Sequence, residues 1–592
     1  MFKALLTLGL VFFQFAAFAK DSKEITVAEL AGHVRYLASD ELMGRKPGTP
    51  QAQQAADYIK KELKKAKLKL LADKGMQNFA VVSGVKSGPN NELCYADVIA
   101  KPMVDFTPLA FSAVSRAQAP VAFVGYGFDF STDSLSWRDY EGVDVNGRWV
   151  IILRDAPDGG APNSGYEPYT SLRKKALVAK DHGAVGVLFV SGEKTDKEDE
   201  LIPLRYDQSP ADAGLPVFHF KREVADKILA GNEQQISRLE AEFYRSKSAH
   251  SFLLKDTLRA SADVILERAM TANVVALLPG ADPLLKNETI VIGAHYDHLG
   301  LGGPSSGSRR PDTLAVHNGA DDNASGVAGM LELAEALAAE RKMLRRSILF
   351  VALSAEEMGT LGSNYFVENP PLPLSQIKYM INFDMIGRMK ADEKTFSIGG
   401  TGTAMGMEEI LTRFAQGRDF TIKMSPEGYG PSDHAAFYAK DIPVLFFMAG
   451  MHEDYHTPDD DSDKLNYSGE KQLIDYTLAV VRELANHTAA LAFQEAGPKS
   501  QPQGGRRFKV TLGIMPDFSS AKIKGVRAEL VTPNRPAARA GMQKGDIIVA
   551  IEGKPVNDIY EYMHRLSELR SGDRVSVEVL RNGKKEILIV EL

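Results

Sequence analysis

The chain has 592 residues, 44% of them hydrophobic and 25% charged. That is the balance of a soluble globular protein, too long for one ordinary domain, so three or four are expected. A net charge of -7 excludes a general affinity for nucleic acid, and the single cysteine, Cys94, excludes an internal disulfide.

Lys3 precedes an apolar run from Ala4 to Phe18, which closes Ala17-Phe18-Ala19 before Lys20-Asp21. This reads as a secretory signal peptide over residues 1–19. The run is shorter than the roughly 20 residues a membrane span needs, no later segment reads as a span, and no cysteine follows to carry a lipid. An exported protein, periplasmic or secreted, is expected. Residues 25–70 read as two helices around a turn-rich loop, Ser39-Asp40-Glu41-Leu42-Met43-Gly44-Arg45-Lys46-Pro47-Gly48-Thr49-Pro50. Ala55, Ile59 and Leu63 share one face of the second helix. On the residues alone this is a surface helical pair.

From about 105 to 235 the pattern changes to short strands and turns, read as an inserted domain that borders the active site without doing chemistry. Asp133, Asp139 and Asp144 are expected to be solvated there. Strand–helix alternation resumes at Asn273. The run Thr289-Ile290-Val291-Ile292 reads as a buried strand that ends in His295, Asp297 and His298. Asp321, Asp322 and Asn323 follow one loop later, before a helix from Ala324. Further strands end at Glu356-Glu357 and at Asp384, and one at Pro443 to Phe447 is followed by His452 to Asp460. Repeated strands ending in polar residues imply an α/β fold, largely parallel, with one site along the C-terminal edge of its sheet. Residues 494–507 read as a polar linker, and 508–592 as a separate β-rich domain with two helices.

His295, Asp322, Glu357, Asp384 and His456 thus stand just after expected strands. Two imidazoles and three carboxylates suit zinc, or two zincs sharing one carboxylate with a hydroxide between them. Glu356, beside Glu357, is placed to act as general base. Each residue alone has a plainer reading, as a satisfied polar group, an N-cap or an acidic loop. Their joint occurrence at successive strand ends favours the metal-site reading over the plainer ones.

The motifs H-Y-D-H-L-G, G-A-D-D-N-A-S-G, S-A-E-E-M-G-T-L-G-S, N-F-D-M-I-G and Y-H-T-P-D-D, in this order, resemble the co-catalytic di-zinc aminopeptidase family, over roughly residues 30–490. The resemblance implies a three-layer zinc-exopeptidase fold with a mostly parallel mixed sheet. It implies that His295 and Asp384 hold one Zn2+, Glu357 and His456 the other, and that Asp322 bridges them. The choice of Asp322 over Asp321 rests on that resemblance. It further implies Glu356 as the base, Asp297 as the group orienting His295, Tyr455 as an oxyanion donor and a cis bond after Asp322; His298 is given no metal role. Ser432-Asp433-His434 resembles a family motif near the substrate pocket. Residues 20–104 and 236–493 then form the peptidase domain, 105–235 looks like a protease-associated insert, and 508–592 resembles a PDZ domain with Leu512-Gly513-Ile514 as its carboxylate-binding loop. The expected activity is removal of N-terminal residues from peptides, with a carboxypeptidase or glutaminyl cyclase on the same scaffold as the alternative. A peptide or protein C-terminus is the expected partner of the PDZ-like groove. A receptor-like binding protein on this scaffold would lose ligands, whereas all five positions carry competent side chains.

Overall fold

The computed structural model describes residues 24–132, 135–159, 164–206, 212–304, 306–497, 499, 510–516, 524–531, 535–557, 559–570 and 572–592. The expected signal peptide, Asp133 and much of the expected linker lie outside the described residues. Among the described residues no helix is long and apolar enough to cross a membrane. The chain divides into two compact units, 1–83 with 268–505 and 84–267 with 506–592.

The first unit opens with helices α1 (Val27–Leu37) and α2 (Pro50–Lys65). Thr26 Oγ1 accepts the N–H of Glu29 and Thr49 Oγ1 that of Ala52, both at 3.2 Å, so each helix begins on a threonine cap. Its sheet contains β1 (Lys69–Leu70), β2 (Met76–Ser87), β3 (Val264–Leu278), β4 (Thr289–His295), β5 (Ser347–Leu353), β6 (Ile377–Phe383), β7 (Thr395–Gly399), β8 (Thr421–Met424) and β9 (Val444–Met448). The order is β1-β3-β5-β4-β6-β9-β7-β8, with β2 also paired to β3. The centre, β5-β4-β6-β9, is parallel, and β3 and β7 flank it antiparallel. The sheet is mixed, and its parallel centre brings several strand ends to one edge.

Strand alternation explains the layers. Ile290, Ile292 and Ala294 of β4, with Ile348, Phe350 and Ala352 of β5, share one core with α1, α2, α3 (Gly326–Ala339), α5 (Met407–Ala415) and α7 (Tyr467–Asn486). Val291 of β4 and Leu349, Val351 and Leu353 of β5 point the other way, against α4 (Leu361–Glu368) and α6 (His434–Tyr438). A central strand covered on both faces must be apolar at every position, which is why β4 and β5 read as unbroken hydrophobic runs.

The second unit contains the segment expected as an insert. Parallel strands Trp149–Leu153, Gly186–Val190 and Val217–Phe220 lie at the heart of an eight-stranded sheet. Asp139 is fully buried there rather than solvated. Its carboxylate accepts the N–H groups of Tyr126 and Phe128 and the indole N–H of Trp137, and burial pushes it up to about 7. The expectation of solvation failed because a turn-like sequence cannot reveal three donors converging on one carboxylate. Asp144 does cap a turn, accepting the N–H of Asn146. The C-terminal segment forms a six-stranded antiparallel sheet with a helix at Ile559–Glu568. That helix meets the helix Leu172–Asp181 through ion pairs of Lys180 with Glu561 and of Asp181 with His564 and Arg565.

Candidate metal centre

The parallel strands deliver the expected residues to one edge of the sheet. His295 is the last residue of β4, Glu356 and Glu357 follow β5, and Asp384 directly follows β6. Asp322 lies in the irregular turn before α3, and His456 in the loop after β9. Ala355, Met385 and His456 adopt left-handed φ values of 59°, 55° and 55°. Non-glycine residues in that region are disfavoured, and three of them beside one cluster mark a backbone shaped for a site.

Asp322 is the geometric centre of the cluster. Its Oδ1 lies 3.4 Å from His295 Nε2 and its Oδ2 lies 3.2 Å from His456 Nε2. His295 Nε2 is also 3.4 Å from Asp384 Oδ1, and His456 Nε2 is 3.1 Å from Glu357 Oε2. The Asp322-Asn323 peptide is cis. Asp321 faces elsewhere: its Oδ1 accepts the N–H of Gly387 at 2.6 Å and the hydroxyl of Ser325 at 3.0 Å.

The Asp322 turn is tied to its surroundings at several points. Asn323 Nδ2 donates to Phe383 O, while its Oδ1 accepts the N–H groups of Gly326 and Met385. This joins the Asp322 turn to the end of β6, where Asp384 stands. Asp460 accepts the N–H groups of Asp321 and Asp322. Its carboxyl is pushed up to about 6, by burial first and then by Asp321.

Asp297 is fully buried, and its Oδ1 lies 3.8 Å from His295 Nδ1. Its carboxylate accepts the N–H of Glu356 at 3.1 Å and that of Glu357 at 3.3 Å. The His295 ring nitrogen Nδ1 sits 3.3 Å from the Asp297 carbonyl oxygen. Burial pushes the Asp297 carboxyl up to about 7. His298 also joins the cluster, with Nδ1 2.7 Å from Glu357 Oε1 and 3.9 Å from Asp322 Oδ2. The ring of Tyr455 stacks on His456, with centroids 3.9 Å apart.

The electrostatics describe a site that wants cations. Burial alone would lower both imidazoles. The carboxylates of Asp384, Glu356 and Asp322 raise His295 well above its usual value, and Asp322 and Glu357 push His456 up to about 11. Burial raises Glu356 well above the carboxylate range, and Asp433, Glu357 and Asp384 reinforce it. Burial would raise Glu357 too, but His298 and then His456 hold it below. Burial keeps Tyr455 a neutral phenol, and Asp322 and Glu357 add to the effect. Asp433 is buried within electrostatic reach of His295 and Asp384.

The donor set fits metal ions. A tetrahedral ion with bonds of about 2.0–2.1 Å separates its ligands by about 3.3–3.4 Å. The four histidine–carboxylate spacings around Asp322 are 3.1–3.4 Å. His295, Asp322 and Asp384 form one compact group, and His298, Asp322 and Glu357 a second.

Arg45, from the loop between α1 and α2, is a residue that sequence reasoning missed. It is fully buried and donates to the carbonyls of Leu37, Tyr296, Asn318 and Gly319. Burial lowers it to about 10, against the opposing pull of Asp297, Asp322, Asp460 and Glu357, so it stays charged. Gly44, at φ 68°, allows the approach: a Cβ there would lie 2.5 Å from the carbonyl oxygens of Gly300 and His317. The signal available in the sequence was an arginine inside a glycine-flanked turn.

A mixed three-layer α/β fold thus carries a cluster of imidazoles and carboxylates at one edge of its sheet. Residues 273–481 match the model of peptidase family M28, and residues 507–592 match that of the PDZ domain. Residues 273–481 thus form a peptidase family M28 domain and residues 507–592 a PDZ domain. It is 28% identical over 256 residues to the uncharacterized protein YfbL of Escherichia coli, covering 37% of this chain and 73% of that one. It is 26% identical over 373 residues to an aminopeptidase of Pseudomonas aeruginosa, covering 62% of this chain and 57% of that one. The chain thus spans little more than half the length of that second relative. The solved structure of BSAP, a zinc aminopeptidase from Bacillus subtilis, aligns at 20% identity with a TM-score of 0.45, over 80% of this chain and 99% of that one.

Proposed function

We propose that this protein is an exported aminopeptidase that carries two zinc ions and releases N-terminal residues from peptides. The observation that carries this reading is the shared carboxylate. Asp322 faces His295 with one oxygen and His456 with the other, and Asp384 and Glu357 lie against those same two rings, at spacings that suit two adjacent ions. In this reading His295 and Asp384 hold one zinc, His456 and Glu357 the other, and Asp322 both. Zinc supplies Lewis acidity, polarising a scissile carbonyl and acidifying water.

The chain's own groups do the rest. Glu356 takes a proton from the attacking water and returns it to the leaving amine. Its place beside Glu357, at the edge of the cluster, lets it hold that proton between the two transfers. Asp297 fixes the paired glutamates through their backbone N–H groups. Tyr455, kept as a neutral phenol, donates to the oxygen on which negative charge develops. Of the two exopeptidase activities, aminopeptidase is proposed over carboxypeptidase. The name of the Pseudomonas relative points the same way.

Residues 1–19 would be the export signal, 508–592 a PDZ domain that takes a peptide or protein C-terminus, and the protease-associated insert, expected over 105–235, would extend over 84–267, because the strands Glu92–Tyr95 and Ser251–Ala262 pair into its sheet. The test offers purified mature protein an aminoacyl-p-nitroanilide, an N-acyl peptide with a free C-terminus and an N-terminal glutaminyl peptide. Turnover of the first alone, lost on chelation and restored by zinc, is expected. Cleavage that survives chelation, or turnover of only the second or third substrate, would sink the proposal.

A further inference from the structure

On the α1–α3 seam, among residues given no part in the proposed reaction, four side chains come together from two helices. Glu29 and His33 stand one turn apart on α1, and Glu332 and Glu335 stand one turn apart on α3. Glu29, Glu332 and Glu335 each place a carboxylate oxygen within 4.8 Å of the others. His33 Nε2 lies 3.3 Å from Glu332 Oε1. The other ring nitrogen, Nδ1, is 2.7 Å from the hydroxyl of Tyr58, which fixes the ring with Nε2 toward the carboxylates.

Glu332 supplies the decisive observation. It is 2% exposed, on a helix buried almost all round, and its Oε1 receives no hydrogen bond. His33 Nε2 is near that oxygen but outside hydrogen-bond geometry. A carboxylate oxygen buried without a donor is costly unless a cation faces it. Thr26, the cap of α1, donates its hydroxyl to Glu29 Oε2 at 2.8 Å and so holds that carboxylate over the seam.

We propose that Glu29, Glu332 and Glu335, with His33 beside Glu332, form a second, structural site for a divalent cation, separate from the Asp322 cluster. Two helices that each offer a pair of inward ligands one turn apart are a recurrent way to hold a metal inside packed helices. Three carboxylates and one imidazole select an oxygen-preferring ion that accepts nitrogen, with Mn2+ fitting best and Ca2+ next. The bound ion would pin α1 to α3. The inference stands on these residues alone and does not depend on which ions the Asp322 cluster holds.

The probe is Mn2+. Crystals of the full protein, freed of metal and soaked in manganese chloride, are expected to show an anomalous peak among Glu29, Glu332 and Glu335. Equilibrium dialysis is expected to count one more Mn2+ per chain in the native protein than in the double variant Glu29→Gln/Glu335→Gln. Both substituted residues are only half-buried, so the variant should fold and keep native turnover when supplied with zinc. Equal ion counts together with an absent peak would overturn the site and leave His33 as the group that faces Glu332. A peak seen with Ca2+ and not with Mn2+ would keep the site and overturn the assignment of the ion.

Discussion

Replacing Arg45 by methionine removes a buried cation while keeping most of the side-chain volume. Arg45 donates to four carbonyls, of Leu37, Tyr296, Asn318 and Gly319, that belong to three separate stretches of chain. Hydrogen bonds to a charged group contribute about 1.5–3 kcal/mol each, and four of them sum to about 6–12 kcal/mol if taken as independent. They are not independent. They share one guanidinium whose desolvation opposes them, and that desolvation already lowers its pKa to about 10. Breaking a buried charged interaction from one side typically costs about 3–5 kcal/mol, and that is the loss expected for Arg45→Met. Arg45→Lys keeps the charge but offers at most three donors in a different geometry, so its loss should be smaller. Both tryptophans, Trp137 and Trp149, lie in the other compact unit, so urea unfolding should be followed by far-UV circular dichroism rather than by tryptophan fluorescence. A loss below about 1 kcal/mol in Arg45→Met, or a larger loss in Arg45→Lys than in Arg45→Met, would refute the view that Arg45 clamps these loops as a charged donor.

Other outcomes follow from the same geometry. Glu356→Gln should keep both metals and lose about 10²- to 10⁴-fold in kcat, the range of general acid–base catalysis; near-normal turnover would rule out Glu356 as the base. In metal-free protein Asp322 and Glu357 raise His456 to about 11, so it is protonated at neutral pH and its contribution to stability fades only as the pH rises through that value; Asp384 and its neighbours raise His295 in the same direction. Zinc must displace that proton, so calorimetric zinc binding near pH 7 should show an enthalpy that changes with the buffer's ionisation heat, and a buffer-independent enthalpy would contradict this. His219 shows the opposite sign. Burial lowers it from 6.5 to about 3, and its neutral Nδ1 accepts the N–H of Ile202 at 3.1 Å. Its contribution is full above pH 6.5 and is lost as pH falls toward 3, so His219→Asn should flatten the acid limb of stability followed by tryptophan fluorescence in that unit. An unchanged limb would show that other groups set it.

Much of the fold was legible because it is local. The apolar runs of β4, β5 and β9 are nearly unbroken, β6 is broken only by Lys378 and Asn382, and the chemistry changes abruptly at two strand ends, from Ala294 to His295 and from Phe383 to Asp384. Those changes mark strand ends in a parallel sheet, so the sequence points to one sheet edge as the place of these side chains, while the choice of Asp322 over Asp321 rests on the resemblance of the motifs. What stayed hidden depends on distant parts of the chain. Arg45 meets carbonyls more than 250 residues away, at Tyr296, Asn318 and Gly319. Asp139 looks like a turn residue until Tyr126, Phe128 and Trp137 close around it. His298 stands three residues after His295, yet only the fold turns it toward Glu357. Glu332 reads as one polar residue on an apolar helix, and α1, some 300 residues earlier, supplies the groups that surround it.

The central claim is that two ions share Asp322, and metal content measured by mass spectrometry on zinc-loaded, desalted protein tests it most directly. To keep the α1–α3 site out of the count, the measurement is made in the Glu29→Gln/Glu335→Gln background. Two zincs per chain are expected there, falling to none or one when Asp322→Ala is added. One zinc per chain in the background variant, or two that persist after Asp322→Ala, would contradict the account.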